Sequence, residues 1–218
     1  MGMASITNIN ERTTANNHKR RTFIRGSRMC LFAKRCMQLN RLCRKKMNYF
    51  NQQTERLKFR KLTREDIPVW TSFFVDNDRL RFLGIDLSKK PETHATEWIE
   101  KQLERYETEG LGHLAIELKE TSEFIGVGGI IPRELENKNE FEIAYSLLPK
   151  FWNNGYGTEL AKKMTKYGFE NIKPERFVSI IDKENSDSIN VALKNGMKVL
   201  FETQYLGMNV EVYGIYNE

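Results

Sequence analysis

A strand-like apolar run from Phe141 to Leu148 leads straight into Pro149-Lys150-Phe151-Trp152-Asn153-Asn154-Gly155-Tyr156-Gly157-Thr158-Glu159-Leu160 and then into a helical pattern. No other stretch constrains the chain as much. Two glycines two apart let the backbone approach a ligand with no Cβ in the way, and the unpaired first amides of the following helix can then face an anion. The junction suits a pyrophosphate, although a Gly-x-Gly turn can equally serve only to start a helix. Spacing excludes two other phosphate loops. A dinucleotide fingerprint needs a glycine or alanine where Leu160 stands, and a nucleoside-triphosphate loop needs a lysine between Gly157 and Thr158. The cluster Gly126-Val127-Gly128-Gly129 lies inside the apolar run Phe124 to Ile131 and reads as a glycine-bearing strand or tight hairpin.

Charge divides the chain. Residues 1–46 hold 12 Lys or Arg against one acid, Glu11, while the other 172 residues hold 23 against 28, so a net +11 is followed by a net −5. All three cysteines, Cys30, Cys36 and Cys43, fall in the basic segment, so the body can use neither disulfides nor a thiolate nucleophile, and a reducing, cytoplasmic setting is expected. The segment 1–46 admits three readings: a nucleic-acid or ribosome-binding arm, an Arg-rich targeting segment, or an untranslated stretch ahead of a start at Met47, the last being preferred. The body is then 47–218. Its negative charge argues against binding a phosphate backbone, and no run reaches a membrane-spanning length. His18, His94 and His113 are scattered without ligand spacing, so no protein-held metal is expected. No Gly-x-Ser-x-Gly occurs to carry an acyl-enzyme, which leaves direct transfer.

From Arg56 the pattern is regular. Leu57 and Phe59 alternate with cations as a half-buried strand, and Thr63-Arg64-Glu65-Asp66 opens a helix carrying Ile67, Trp70 and Phe74. Ala95, Trp98, Ile99, Gln102, Leu103 and Tyr106 mark a second helix that Gly110 ends. Three strands follow, His113 to Leu118, Glu123 to Ile131 and Glu140 to Leu148, the last two joined by polar Arg133 to Asn139 in an antiparallel meander. After the glycine loop come a helix to about Glu170, a strand Phe177 to Ile181, a helix capped by Asn185-Ser186-Asp187-Ser188 and closed by Gly196, and strands Val199 to Thr203 and Val210 to Ile215.

This order resembles the GCN5-related N-acetyltransferases (GNAT) over Arg56 to about Ile215. The family loop, Gln/Arg-x-x-Gly-x-Gly/Ala, is met by Trp152-Asn153-Asn154-Gly155-Tyr156-Gly157 with Trp152 departing at the first place. Phe-Trp-x-x-Gly-Tyr-Gly-Thr-Glu is similar to the version in the RimJ and RimL branch, which acetylates ribosomal protein N-termini. Glu142-Ile143-Ala144-Tyr145, Tyr167-Gly168-Phe169-Glu170, Asn185-x-x-Ser188 and Lys194-Asn195-Gly196-Met197 match in the same order.

The resemblance implies an α/β (α+β) fold with a mixed, mostly antiparallel twisted sheet of about seven strands flanked by four helices. It implies acetyl-coenzyme A as acyl donor, in a cleft between splayed fourth and fifth strands, and an amine as acceptor. The pantetheine arm would pair with backbone at Leu147 and Leu148, and the pyrophosphate would rest on amides of Asn153, Asn154, Gly155, Tyr156, Gly157 and Thr158. Asn185 would bond the pantetheine arm, or simply cap its helix. Lys150, Lys162 and Lys163 could assist the phosphates, or form a solvated face. Glu142 is the candidate base, or an outward carboxylate paired with a cation, with Glu140 as understudy. No tyrosine stands between Asn185 and Tyr205 to act as acid, so Ser188 is the nearest hydroxyl, or only a cap. Trp70, Phe73, Phe74, Trp98 and Tyr106 have helical spacing and are expected in the core. The preferred activity is acetylation of a protein N-terminal α-amine. Its rivals are acetylation of a polyamine, amino acid or aminoglycoside, and a non-catalytic coenzyme A-binding or ribosome-associated module. Oligomeric state leaves no mark in the sequence.

Overall fold

The computed structural model describes residues 49–217. The basic segment 1–46 and the candidate start Met47 lie outside them. Strand β1 (Leu57–Arg60) is followed by helices α1 (Ile67–Thr71) and α2 (Pro91–Thr108), then by β2 (Gly112–Leu118), β3 (Phe124–Leu135) and β4 (Lys138–Leu147). Helix α3 (Tyr156–Asn171), β5 (Arg176–Asp182), α4 (Ser186–Lys194), β6 (Lys198–Tyr205) and β7 (Met208–Tyr216) complete the order. The strands form one sheet in the order β1-β2-β3-β4-β5-β7-β6. Every neighbouring pair is antiparallel except β4 and β5, which run parallel. The expected mixed sheet with four helices is thus present.

Two expectations change in detail. The first helix breaks into a 3-10 turn at Arg64–Asp66, α1, and a second 3-10 turn at Ser72–Phe74. A three-residue turn sets positions i and i+3 above one another, and Trp70 stacks on Phe73 at 4.4 Å and 11° while Phe74 meets Trp70 edge-on. Three bulky rings are buried in five residues in this way. The other change is the polar link from Arg133 to Asn139. The strands run through it, and only Glu136 and Asn137, both with positive φ, make the turn, as a two-residue hairpin requires. Charged residues persist inside these strands because they are paired: Arg133 with Glu142 and Arg176 with Glu140.

Apolar faces of the strands and helices bury one another. Leu57, Phe59, Leu114, Ile116, Ile125 and Ile130 from the sheet meet Ala95, Ile99 and Tyr106 of α2 and Leu160, Ala161 and Met164 of α3 in a single cluster. The glycine run in β3 is structural, as expected. A Cβ on Gly128 would lie 2.7 Å from Leu160 Cδ1, so glycine is what lets α3 sit tightly on the sheet.

The break that matters lies between β4 and β5. Their ladder has one residue pair, Glu142 with Val178, and the Ser179 hydroxyl donates to the Ile143 carbonyl at 2.7 Å just beyond it. Leu148 N–H bonds back to Ile125 O at 2.9 Å. By the alternation of an antiparallel ladder, the N–H and C=O of Leu147 and Tyr145 then point away from β3, toward the gap.

Candidate functional site

A cleft of about 440 Å³ opens where β4 and β5 diverge, running from the loop before α3 to α2 and the β6–β7 hairpin. At one end the chain leaves β4 through a 3-10 turn at Pro149–Phe151, and Trp152 Nε1–H donates to the Leu147 carbonyl at 2.7 Å. Asn153 (φ 62°) and Gly155 (φ 77°) are left-handed, a conformation glycine adopts without a Cβ penalty. The first i→i−4 bond of α3 runs from Glu159 N–H to Gly155 O at 3.1 Å, so the amides of Tyr156, Gly157 and Thr158 precede the helical ladder. Arg56 braces this corner. It bonds Glu159 through Nε and Nη2 and the Asn154 carbonyl through Nη1 at 3.0 Å, and it lies over the Tyr156 ring.

The middle of the cleft is formed by β4, β5 and the start of α4. Asn185 accepts from Ser188 N–H at 3.2 Å, the helix cap that its position suggested, and both residues line the cleft. The Tyr145 hydroxyl donates to the Ser188 carbonyl at 3.4 Å, and burial pushes that phenol far above its ordinary range. Glu142 is buried, with Arg133 Nε at 2.6 Å and Nη2 at 2.5 Å from its Oε2, and Arg133 makes no hydrogen bond to Oε1. Arg133 also donates to the Tyr205 hydroxyl at 2.7 Å.

His113 stands on the far wall. Trp98 Nε1–H donates to its Nδ1 at 3.2 Å, with the two rings 16° from parallel. Burial, with Arg105 and Arg133 adding to it, holds the imidazole neutral down to about pH 3. An unfolded chain would take up the proton near pH 6.5. The folded form binds fewer protons between those values, so stability present above pH 6.5 is lost as pH falls toward 3. We expect an acid-side loss of ~2 kcal/mol between pH 7 and pH 5, checked by denaturant titrations at the two pH values and abolished by His113→Gln.

Nine of the sequence-derived site residues meet on this cleft: Glu142, Leu147, Asn153, Gly155, Tyr156, Gly157, Thr158, Asn185 and Ser188. Leu148 does not, because it is buried and its N–H is taken by Ile125, so it cannot pair with a ligand arm as expected. Asn154 is not among the residues lining the cleft, and its side-chain amide bonds the Trp152 carbonyl at 2.9 Å. Glu140 pairs with Arg176 and borders a separate recess, which removes it as understudy to Glu142. Lys150 is paired with Glu123, and the cations lining the cleft are Arg79, Arg133 and Lys194 rather than Lys150, Lys162 or Lys163. Trp70, Phe74 and Tyr106 lie in the core, but Phe73 and Trp98 also form cleft wall. Sequence reasoning passed over Arg133, His113, Tyr145 and Tyr205 as site residues. Only Tyr145 carried a signal, being next in alternation to Ile143 and Leu147 on the strand that enters the loop.

Residues 56–198 match the family model of the acetyltransferase (GNAT) domain. The chain belongs to this family. A Bacillus subtilis protein named as an uncharacterized N-acetyltransferase, YoaA, is 26% identical over 67% of this chain and 81% of its own length. An acetyltransferase of solved structure from Agrobacterium tumefaciens superposes with a TM-score of 0.65 at 26% identity, covering 77% of this chain and 94% of that one. RimL, a ribosomal α-N-protein acetyltransferase solved in complex with coenzyme A, shares the fold with a TM-score of 0.59 at 16% identity, over 75% of this chain and 95% of its own. The chain is accordingly a GNAT N-acetyltransferase. Among the described residues no helix is long and apolar enough to cross a membrane.

Proposed function

We propose that this N-acetyltransferase moves the acetyl group of acetyl-coenzyme A to the α-amine of a protein N-terminus. One observation carries the donor half of the reading: the gap between β4 and β5 opens directly onto the left-handed turn at Gly155 and the leading amides of α3. Bare amides at a helix start suit a diphosphate, and a gap beside unpaired strand backbone suits a pantetheine arm. The residues present fit that ligand. A Cβ at Gly155 would find nothing nearer than Arg56 Nη2 at 3.6 Å, so the corner is open.

Bound there, acetyl-coenzyme A supplies an acyl group activated as a thioester. The chain must do the rest. Leu147 N–H, turned toward the gap, is placed to stabilise charge on the acyl oxygen. Glu142, through the Oε1 that accepts no hydrogen bond from Arg133, takes the proton of the incoming ammonium directly or through water. A protein α-amine has a pKa of about 8, so a carboxylate with a water relay suffices, whereas a lysine near 10.4 demands more. A leaving thiol of pKa about 8.5 needs no strong acid, and the Ser188 hydroxyl, which also lines the cleft, is the donor.

Two rivals stand beside this reading. A small polycationic amine would meet a cleft whose Arg79 and Arg133 are already paired with Asp187 and Glu142, so the acceptor panel rather than the charge of the cleft must decide against it. A chain that only binds coenzyme A would need Glu142 solely as the partner of Arg133. The deciding experiment is thiol release from acetyl-coenzyme A with a panel of N-terminal peptides, free amino acids, spermidine and an aminoglycoside, followed by mass mapping of the acetyl group. Turnover on peptide α-nitrogen is expected. Preference for a small amine would replace the acceptor, and coenzyme binding without turnover across the panel would leave only the binding module.

A further inference from the structure

His113 lies on the cleft wall, and nothing in the transfer chemistry above uses it. Its place is closely fixed: its backbone N–H bonds Gln102 Oε1 at 2.9 Å, its carbonyl accepts from the Tyr106 hydroxyl, and its Nδ1 accepts from Trp98 Nε1–H. A neutral imidazole whose Nδ1 is an acceptor carries its proton on Nε2. That Nε2–H is buried, belongs to a residue lining the cleft, and meets no partner among the described residues. Folded chains rarely leave a buried donor unpaired, and such a group in a cleft wall is a place for a ligand atom.

Register shows what lies beside it. His113 is opposite Gly129, Gly129 is opposite Ala144, and Ile131 is opposite Glu142, so the imidazole shares a sheet face with Glu142 and, two residues beyond Ile131, with Arg133. Arg105 of α2 also acts on the ring electrostatically. Glu142 pairs with Arg133, and Glu109 and Glu142 both act on Arg105, so the unpartnered N–H itself sets the preference of this corner. A donor suits an oxygen and cannot accept from an ammonium.

We propose that His113 Nε2–H selects acceptor amines whose amine-bearing carbon also carries a carbonyl or carboxylate group, the α-aminoacyl class. The inference rests on the Glu142 end of the cleft being the amine site. It deepens the proposed function by stating what the enzyme reads beside the nitrogen: an oxygen that every peptide N-terminus and every free amino acid has, and that polyamines lack.

The test compares a short peptide with a free N-terminus, L-alanine and 1,2-diaminopropane, the last keeping the amine but not the oxygen. Wild type should favour the oxygen-bearing acceptors in kcat/KM by about tenfold or more, the size of one hydrogen bond in a desolvated site. The peptide and alanine arms tell a chain terminus from a free amino acid. His113→Phe keeps a ring against Trp98 and should erase most of that preference with KM for acetyl-coenzyme A unchanged. His113→Gln, whose side-chain amide can donate from nearly the same place, should restore much of it. An equal loss on all three acceptors would mean a structural role and overturn the proposal. The imidazole N–H resonance gives a readout free of turnover: it should move with peptide or alanine and stay still with the diamine. If it ignores all three, the proposal is overturned even where other amines are acetylated. If it moves as expected but no amine turns over, the proposal is upheld and the transfer reading is the one that falls.

Discussion

Glu142→Gln is expected to lower kcat by roughly a hundredfold or more, the range of a lost general base, while leaving KM for acetyl-coenzyme A close to wild type. The substitution keeps an oxygen for Arg133, so the variant should fold, with some loss of stability because a partly buried guanidinium then faces a neutral partner. That loss needs a control, and the sheet provides one. Glu140 is also paired with an arginine, Arg176, which bonds both of its oxygens, and the side-chain exposures are the same in both pairs, 21% for the arginine and 9% for the glutamate. Glu140→Gln should therefore lower thermal stability by a similar amount and leave turnover intact, since its carboxylate borders a different recess. Equal losses of kcat in the two variants would show that Glu142 acts only through the fold.

Gly155→Val should raise KM for acetyl-coenzyme A by about tenfold or more. At φ 77° a β-branched residue is strained, and relief requires the turn to move away from the position that aims the first amides of α3. Gly196, at φ 85° just beyond α4, supplies the comparison: it is also left-handed, its Cβ would meet only Ile215 at 3.4 Å, and it does not line the cleft. Gly196→Val should cost comparable stability and leave the donor KM unchanged. A donor KM that responds equally to both would separate acetyl-coenzyme A binding from the glycine turn.

The parts of the molecule readable from the chain were those written in local pattern. The element order, the glycine loop and the Asn185 cap follow from periodicity, from residues able to adopt positive φ, and from side chains that satisfy helix ends. Most of the loop and Glu142 reach the cleft for the same reason: the alternation of β4 and the sharp turn after it settle where they face. What stayed hidden depends on partners distant in sequence. Arg133 looked like part of a polar loop because its partner Glu142 is nine residues away across a hairpin, and only that pairing lets the charge stay inside a strand. Leu148 looked as available as Leu147, and which of them faces β3 is settled by the register with Ile125. His113 could not be told from an ordinary core histidine until Trp98 took one nitrogen and left the other bare. Phe73 and Trp98 belong to core and cleft wall together, a double role that helical spacing cannot express.

The central claim is that a diphosphate rests on the backbone where Asn153 to Thr158 turn into α3, with the thioester reaching into the β4–β5 gap. Backbone amide resonances followed during titration with coenzyme A, and in parallel with pantetheine, test it most directly. The account predicts that coenzyme A shifts the amides of Gly155 to Thr158 together with Tyr145 and Leu147, and that pantetheine, which lacks the diphosphate, leaves the loop amides in place. Coenzyme A binding that shifts other residues while Gly155 to Thr158 stay unmoved would contradict it.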